Sequence, residues 1–243
     1  EIIRLFNPNI NDHIIEIGPG LGALTKILIK QLNYLEVVEI DRDIIKILQH
    51  EFKSEIANNK FVIYEADALK FDFSQLFQEG RPLRVVGNLP YNISTPLLFH
   101  LLEFGGKVKD MHFMLQKEVV DRLGAEPDTA DYGRLSVMVQ YRCQVDWLLG
   151  VPPEAFNPAP KVQSAVVKLT PWQKSPYNCD NEALLQRVVS TAFNQRRKTL
   201  RNCLKGLAEE LDFEAVGISP SLRAEVLSVQ QFVQLTNQLN SHV

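Results

Sequence analysis

The sequence has 243 residues, of which 45% are hydrophobic and 23% are charged, and its formal net charge is −3 at pH 7. This length and composition are typical of one large globular domain, or of one domain with a smaller partner. No hydrophobic run approaches the ~18 residues that indicate a membrane-spanning helix, so we expect no membrane span. The slightly acidic balance argues against a protein that binds nucleic acid over its whole surface.

The cysteines and histidines indicate no metal site. Three cysteines are odd in number and far apart, and the five histidines form no cluster in the sequence. We therefore expect no metal and no disulfide framework, which fits a cytoplasmic protein. The sequence starts at Glu1 inside a helix-like pattern, so we expect the natural N-terminus to lie upstream.

Strand-like and helix-like patterns alternate through the first 170 residues. Strands are predicted at residues 13–17, 34–40, 61–64, 83–86, 111–115, 143–149 and 164–169. Helices are predicted at 21–32, 44–52, 117–123 and 135–141. A further helix is predicted to begin after Ser94, which we expect to be its N-cap. This alternation predicts an α/β fold with a doubly wound, mainly parallel sheet.

The last part of the chain has a different pattern. Residues 171–181 are polar and contain two prolines, which is typical of a linker. Beyond them the periodicity is helical throughout, at 182–195, 198–210, 221–227 and 229–239. The sequence therefore predicts a main domain at 1–175 and a small all-helical C-terminal domain at 176–243.

A glycine-rich turn follows the first predicted strand. Residues 18–22 read Gly-Pro-Gly-Leu-Gly, and Glu39 lies about 20 residues further on. This pattern fits the dinucleotide fingerprint, in which the carboxylate holds ribose hydroxyls. It indicates a bound nucleoside, and taken alone it also permits an NAD-dependent oxidoreductase.

Two further acids favour a different cofactor. Glu16 lies inside the first strand, where a carboxylate is costly unless it helps to hold a polar or cationic ligand. Asp67 follows the third strand and could accept the amino group of an adenine, although it could also simply cap the next turn. S-adenosylmethionine carries both a sulfonium cation and an adenine.

The fourth strand leads into Asn-Leu-Pro-Tyr at residues 88–91. A loop at this place in an α/β sheet is a usual ligand site. The carboxamide of Asn88 and a backbone carbonyl could accept both N–H bonds of an amino group on a planar base, and the ring of Tyr91 could stack on that base. The plainer alternative is a proline-containing turn with a tyrosine in the core.

A basic segment stands out against the acidic average. Residues 187–205 contain six Arg or Lys and no Asp or Glu. Such a segment either contacts a phosphate backbone or forms an ordinary solvated helix face.

Taken together in chain order, these motifs resemble the KsgA-type ribosomal RNA adenine dimethyltransferases. The motifs that carry the resemblance lie at residues 16–22, 39–41, 67–68, 88–94, 132–136, 151–156 and 193–200. The resemblance implies a class I methyltransferase with a Rossmann-like sheet. It also implies dimethylation of N6, with S-adenosylmethionine as methyl donor, on two adjacent adenosines in the 3′-terminal hairpin loop of small-subunit (16S) rRNA. A cytoplasmic monomer that meets the 30S particle is expected.

The resemblance also assigns site residues by motif. Cofactor contacts are expected from Gly18, Gly20, Glu39, Ile40, Asp67, Ala68 and Asn88. Contacts to the target adenine are expected from Asn88, Leu89, Pro90, Tyr91 and Phe156. RNA contacts are expected from Arg196, Arg197, Lys198 and Arg201.

Two alternatives remain beside the oxidoreductase. One is a related methyltransferase that acts on large-subunit RNA. The other is a ribosome-assembly factor that acts by binding RNA, which need not exclude the enzyme. Members of the family that it resembles also carry a Gly-Gln-Asn-Phe-Leu segment that closes over the cofactor, and this sequence starts after that point.

Overall fold

The computed structural model describes residues 1–90, 92–156, 161–195, 197–207 and 211–240. The chain forms two compact units. The first unit comprises Glu1–Val120 and Gln144–Gln173, and the second comprises Asp121–Cys143 and Lys174–Val243. Within the described ranges, no helix is both long and apolar enough to cross a membrane.

Seven strands form one sheet in the order β3-β2-β1-β4-β5-β7-β6. Their bounds are β1 His13–Ile17, β2 Leu35–Glu39, β3 Phe61–Glu65, β4 Leu83–Asn88, β5 Val108–Gln116, β6 Cys143–Val151 and β7 Ser164–Pro171. The pairs β2–β3, β1–β2, β1–β4 and β4–β5 are parallel, whereas β7 runs antiparallel to β5. The strand order reverses between β1 and β4, where a doubly wound sheet binds its ligands. The predicted fold class is confirmed.

Ten α-helices connect and cover the strands in the described residues. They are α1 Ile2–Phe6, α2 Thr25–Gln31, α3 Arg42–Glu51, α4 Lys53–Ala57, α5 Ser94–Leu102, α6 Lys117–Leu123, α7 Arg134–Arg142, α8 Glu182–Phe193, α9 Leu200–Leu204 and α10 Val229–Asn240. Asp41 caps α3 by accepting from the backbone N–H groups of Asp43 and Ile44.

Several local predictions differ from the structure. The helix predicted at 221–227 is wrong, since only a short 3₁₀ turn forms there, at Ala224–Val226. The helix predicted at 198–210 is confined to α9, and residues 208–210 lie outside the described ranges. The N-cap of α5 is Ile93 and not Ser94, which is the first helical residue and is buried. Apolar periodicity alone does not reveal how soon a helix ends.

One face of the first unit's sheet is covered by α1, α2 and α3. The buried hydrophobic cluster on that face contains Ile3, Phe6, Ile14, Leu28, Ile29, Leu32, Leu35, Val37, Leu48, Phe52, Phe61 and Val86. Complete burial of one such side chain contributes about 1.5–3 kcal/mol. The cluster thereby fixes α2 against the strand that precedes it, β1.

The second unit has its own helical core. Val188 of α8 and Phe232 of α10 are fully buried, and the hydroxyl of Tyr132 donates to the Leu227 carbonyl at 2.7 Å. Residues 121–143 belong to the same unit as these helices, although the sequence predicted them in the domain at 1–175. The difference arises because α7 lies between strands in the sequence but packs on α8 and α10 in the structure. The functional division into two domains stays a prediction.

A buried arginine joins three segments at the amino-terminal edge of the sheet. Arg84, the second residue of β4, donates to both carboxylate oxygens of Asp110 at 2.8 and 2.9 Å. It also pairs with Asp12 at 2.5 Å and donates to the carbonyl of Phe6 at 2.8 Å. Its guanidinium lies 4.3 Å from the centre of the Phe6 ring. Arg84 therefore ties the end of α1 and the segment before β1 to β4 and β5.

Removal of the Arg84 side chain should destabilise the protein strongly. Arg84→Met leaves the carboxylates of Asp12 and Asp110 in place without their partner, and breaking a buried pair in this way costs about 3–5 kcal/mol. Urea unfolding measures the change in free energy. Arg42→Met is the matched control, because its ion pair with Glu65 is exposed and such pairs contribute under about 1 kcal/mol. Equal losses in the two variants would contradict this account of Arg84.

Candidate functional site

The candidate site lies where β1, β2, β3 and β4 end. Parallel pairing brings the carboxyl ends of these strands to one edge of the sheet, and the register aligns Glu16 of β1 with Val86 of β4. Hydrogen bonds continue past the strands, from the Gly18 N–H to the Val38 carbonyl and from the Ala66 N–H to the Glu39 carbonyl, both at 3.0 Å. The loops that carry the predicted motifs are therefore neighbours.

The turn after β1 depends on glycine conformation. Gly18, Gly20 and Gly22 have φ values of 64°, 54° and 80°, in the left-handed region that other residues rarely adopt. A side chain on Gly22 would also contact Leu48, at 3.4 Å from its Cβ. These conformations turn the chain sharply into α2, which begins at Thr25 instead of the predicted residue 21.

A second glycine allows β4 to approach β1 closely. A Cβ atom on Gly87 would lie 2.5 Å from the carbonyl oxygen of Ile17, well inside van der Waals contact. Ile17 directly precedes the glycine turn, and Gly87 directly precedes Asn88. The absence of a side chain at Gly87 thus lets the two loops lie side by side.

Glu39 ends β2 with a carboxylate that its own loop holds in place. Its Oε1 accepts from the backbone N–H groups of Ile40 and Asp41, both at 2.9 Å. No described residue donates to Oε2, which leaves an acceptor for a ligand. The next side chain, Ile40, is 64% exposed although it is large and apolar, so an apolar surface is available beside the carboxylate.

Asp67 follows β3 and is half-buried. Its Oδ1 accepts from the Leu69 N–H at 3.0 Å, which is the turn-capping contact that the sequence also allowed. That contact occupies one carboxylate oxygen and leaves the other available. Ala68, next to it, is buried. Whether Asp67 and Ala68 bind a cofactor stays a prediction.

Glu16 is the unusual group of this edge, because it is an acid that is only 1% exposed in β1, which has a strand on either side. Its Oε2 accepts from the Thr25 hydroxyl at 2.6 Å. Burial raises the pKa of Glu16 to about 7, the Thr25 hydrogen bond acts in the opposite direction, and the charge of Glu39 raises it further. A cation bound at this edge would favour the ionised form of Glu16.

The fourth loop carries a side-chain acceptor and a backbone acceptor. Asn88 is the last residue of β4 and is exposed, and its side chain has no hydrogen-bond partner among the described residues. The Leu89 side chain is buried, its N–H donates to the Met114 carbonyl at 3.2 Å, and no described residue donates to its own carbonyl. Pro90 is exposed, and its carbonyl accepts from the Ile93 N–H. Tyr91 lies outside the described residues.

Phe156 lies beside an open cavity in the same unit. Its ring is half-buried, and its N–H donates to the Pro153 carbonyl at 3.1 Å, which closes a 3₁₀ turn. The cavity has a volume of about 670 Å³ and is also lined by residues of α1 and α2, by Met114 of β5 and by Val151 of β6. Its lining is mainly apolar.

The basic segment belongs to the second unit. Arg187, Arg197, Lys198, Arg201 and Lys205 are all exposed, and no described carboxylate pairs with any of them. The Cys203 thiol donates to the carbonyls of Gln195 and Lys198, at 3.5 and 3.6 Å, which ties both residues of the basic segment to α9. Arg196 lies outside the described residues.

The donor set of the first unit fits an adenosine-containing cationic cofactor. A left-handed glycine turn gives the ligand access to the backbone, and the free oxygen of Glu39 suits ribose hydroxyls. Exposed Ile40 offers an apolar surface to a base, and Glu16 is a buried acid near the same turn. Among the described residues, no group of three or more His, Cys, Asp or Glu side chains could hold a metal ion.

Sequence reasoning missed two features of the site. Met114 was predicted only as part of a strand, yet the sheet register pairs it with Asn88. Gly87 was treated only as a strand breaker, yet its importance lies in the approach to Ile17. Both facts depend on the pairing of strands that are distant in the chain, and no local pattern reports that pairing.

Comparison with known proteins gives consistent results. A family model described as ribosomal RNA adenine dimethylase matches residues 1–241. A relative from Saccharophagus degradans, named ribosomal RNA small subunit methyltransferase A, is 57% identical over 238 residues, which cover 98% of this chain and 88% of the relative.

Two solved structures extend the comparison. A dimethyladenosine transferase from Plasmodium falciparum is similar with a TM-score of 0.80 and 25% identity, over 99% of this chain and 94% of that chain. The 23S rRNA methyltransferase ErmE is similar with a TM-score of 0.72 over 98% and 95% of the two chains. Its 21% identity shows the shared fold alone.

The pKa of Glu16 predicts a pH dependence of stability. The folded protein holds the Glu16 proton to about pH 7, whereas the unfolded chain releases it near 4.5, so this group's stabilisation is lost as the pH rises between these values. The free energy of unfolding of Glu16→Gln minus that of the wild type should therefore be more positive at about pH 8 than at about pH 4, by roughly 3 kcal/mol. Urea unfolding at both pH values measures this difference.

Glu79→Gln serves as the control for this prediction, because Glu79 is exposed and pairs with no described cation. Its variant should track the wild type across the pH range. A Glu16→Gln protein with the same pH dependence as the wild type would show that Glu16 is already ionised in the folded state.

Proposed function

Because the chain belongs to the ribosomal RNA adenine dimethylase family, and is thus an rRNA methyltransferase that uses S-adenosylmethionine, we propose that its target is N6 of two adjacent adenosines in the 3′-terminal hairpin loop of 16S rRNA. The observation that carries this proposal is the exposed Asn88, beside the glycine turn, together with the Leu89 carbonyl, which accepts from no described residue. The 57% identity to a small-subunit methyltransferase favours small-subunit over large-subunit RNA. The expected partner is the 30S particle, and the expected state is a cytoplasmic monomer.

The carboxyl edge of β1 to β4 holds the cofactor in this proposal. Glu39 accepts from the ribose hydroxyls, Asp67 accepts from the adenine amino group, and Ile40 contacts the adenine ring. The turn at Gly18 and Gly20, together with Ala68 and Asn88, lines the remainder. When bound, S-adenosylmethionine supplies the methyl group that is transferred.

Asn88 and Leu89 hold and orient the target amine. The lone pair of an adenine amino group is delocalised into the ring, so the nitrogen is a poor nucleophile. The Asn88 carboxamide oxygen and the Leu89 carbonyl accept its two N–H bonds, which favours a pyramidal nitrogen with its lone pair directed outward. Pro90 stiffens the backbone that carries these acceptors. The nitrogen gains a methyl group and releases a proton to water, so orientation and not a strong base accounts for the catalysis.

Aromatic side chains hold the target base itself. Extrusion of an adenine from a stack costs a few kcal/mol, and it costs least in a single-stranded loop. Tyr91 and Phe156 are proposed to stack on the two faces of the extruded base, and stacking on an aromatic side chain contributes about 1–3 kcal/mol per base. The 3₁₀ turn at Pro153–Ala155 fixes the backbone from which Phe156 projects.

The basic segment of the second unit binds phosphates of the same RNA. Arg197, Lys198 and Arg201 are exposed and unpaired with described carboxylates, and Arg196 is proposed to act with them. Contacts of this kind fix the register of an RNA without reading its sequence. The same contacts could support an assembly role during small-subunit biogenesis.

Methyl transfer from labelled S-adenosylmethionine tests the proposed target. We expect the protein to label small-subunit particles that lack the modification, with nucleoside analysis showing dimethyladenosine in the 3′-terminal hairpin. Large-subunit particles serve as the parallel substrate and should stay unlabelled. Transfer only to the large subunit would overturn the proposed target and leave the family assignment intact.

Asn88→Ala should abolish methyl transfer and leave the fold intact. The variant lacks the side-chain acceptor for the target amine, while Asn88 is exposed and makes no hydrogen bond with the described protein. Thermal unfolding checks the fold, and the labelling assay checks the activity. Asn92→Ala is the matched control, since Asn92 is an exposed asparagine of the same loop and has no assigned role. Full activity in Asn88→Ala would refute the amine-holding role.

Removal of the basic side chains should weaken RNA binding in a salt-dependent way. The triple variant Arg197→Ala, Lys198→Ala and Arg201→Ala loses three phosphate contacts. We expect the slope of log affinity against log salt concentration to become shallower by about 2–3. Fluorescence anisotropy on the labelled hairpin RNA measures it.

A second triple variant controls for net charge. Lys30→Ala, Lys46→Ala and Lys53→Ala remove the same charge from exposed positions of α2, α3 and α4. Its salt slope should match that of the wild type. If both triple variants change the salt slope equally, the basic segment has no special role in RNA binding.

A further inference from the structure

Dimethylation sets a geometric problem at the site that monomethylation does not. This inference rests on the proposed function, in which Asn88 and Leu89 accept the two N–H bonds of the target amine. After the first transfer the nitrogen carries one hydrogen and one methyl group. A methyl group cannot donate a hydrogen bond, so it cannot take the place of a hydrogen against the carboxamide or carbonyl oxygen. The second transfer therefore requires an apolar space next to Asn88.

Met114 is the residue that the sheet places next to Asn88. The parallel register of β4 and β5 pairs Asn88 with Met114, so their side chains project from the same face of the sheet. The Leu89 N–H donates to the Met114 carbonyl at 3.2 Å, which locks this register at the point where the target loop begins.

That face of the sheet is the one that carries the cavity. Val86, two residues before Asn88, belongs to the hydrophobic cluster with residues of α1 and α2. Met114 itself lines the cavity of about 670 Å³, together with Leu149, Val151 and Phe156. Met114 is thus both the register neighbour of the amine-holding residue and part of an apolar wall.

The chemistry of methionine suits this position. Its side chain is unbranched, with three rotatable bonds, and it adapts to irregular apolar surroundings. It can fill the wall when the target carries two hydrogens and move aside when the target carries a methyl group. A rigid ring at this position could not do so.

We propose that Met114 and the adjoining cavity accept the first methyl group on N6, and that Met114 thereby determines whether the enzyme proceeds from monomethyl- to dimethyladenosine. In the second transfer, the N6 lone pair forms a bond to the new methyl carbon. The sulfonium carbon–sulfur bond breaks, and its electron pair stays on sulfur. The nitrogen releases its remaining hydrogen as a proton to water.

The test compares Met114→Phe with the wild type on two RNA substrates, the unmodified hairpin in small-subunit particles and the same hairpin with N6-methyladenosine at the target. For Met114→Phe we expect kcat/KM on the methylated substrate to fall at least about 10-fold further than on the unmodified one, since one methyl group in a shaped pocket discriminates by about 10-fold or more. Nucleoside analysis should then show monomethyladenosine as the main product.

Two control variants accompany this test. Met114→Leu keeps the side chain apolar and of similar volume, and it should yield dimethyladenosine as the wild type does. Gln31→Phe places the same ring in the lining of the same cavity. Gln31 ends α2, where the chain has returned towards the amino-terminal edge of the sheet, away from Asn88. It should leave the ratio of the two products unchanged.

The possible outcomes separate this inference from the proposed function. If Met114→Phe slows both methylations in parallel, or still yields mainly dimethyladenosine, then Met114 does not determine product multiplicity and the inference is wrong. If the wild type methylates neither form of the hairpin, the proposed target is wrong instead. Because only folded enzyme yields any methylated product, the ratio of products is informative even if Met114→Phe is less stable.

Discussion

The close parallel pairing of β1 with β4 is the constraint on which the site depends. A Cβ on Gly87 would lie 2.5 Å from the Ile17 carbonyl oxygen, so the two strand ends approach as closely as backbone atoms allow. The glycine turn follows one of these ends, and Asn88 follows the other. Methyl transfer requires donor and acceptor to meet with their reacting atoms in near contact. The pairing of these strands places the loop that carries Asn88 beside the glycine turn.

The two edges of the sheet in the first unit serve different purposes. At the amino-terminal edge, Arg84 donates to two carboxylates and to the carbonyls of Phe6 and Asn7, and it so stabilises the fold. At the carboxyl edge, Glu39 and Asn88 keep acceptors without partners among the described residues, and Glu16 is buried with only a hydroxyl beside it. Burial of the Glu16 carboxylate at this edge lowers stability, and the remaining acceptors of Glu39 and Asn88 are available to a ligand. Such a division is expected where one edge of a sheet binds ligands.

The sequence predicted the sheet well because its signals are local. Apolar runs of strand length, separated by helical periods, gave every strand of the sheet to within a few residues, and the glycine turn marked its own position. The helices of the second unit were predicted less well, at 198–210 and 221–227, because helix length there is decided by packing and not by periodicity. The assignment of residues 121–143 to the second unit was likewise decided by contacts between distant segments.

By itself, the sequence determined the fold class, the family and the chemical types at the site: the glycine turn, Glu39, Asp67 and the Asn-Leu-Pro-Tyr loop. Each of these is a short run of residues whose order along the chain carries the information. The tertiary structure alone decided the neighbours of those residues. The pairing of β4 with β5 brought Met114 beside Asn88, and the pairing of β1 with β4 brought Gly87 against Ile17. Strand register is fixed by the burial of a whole face of the sheet, so no local pattern could have given either contact.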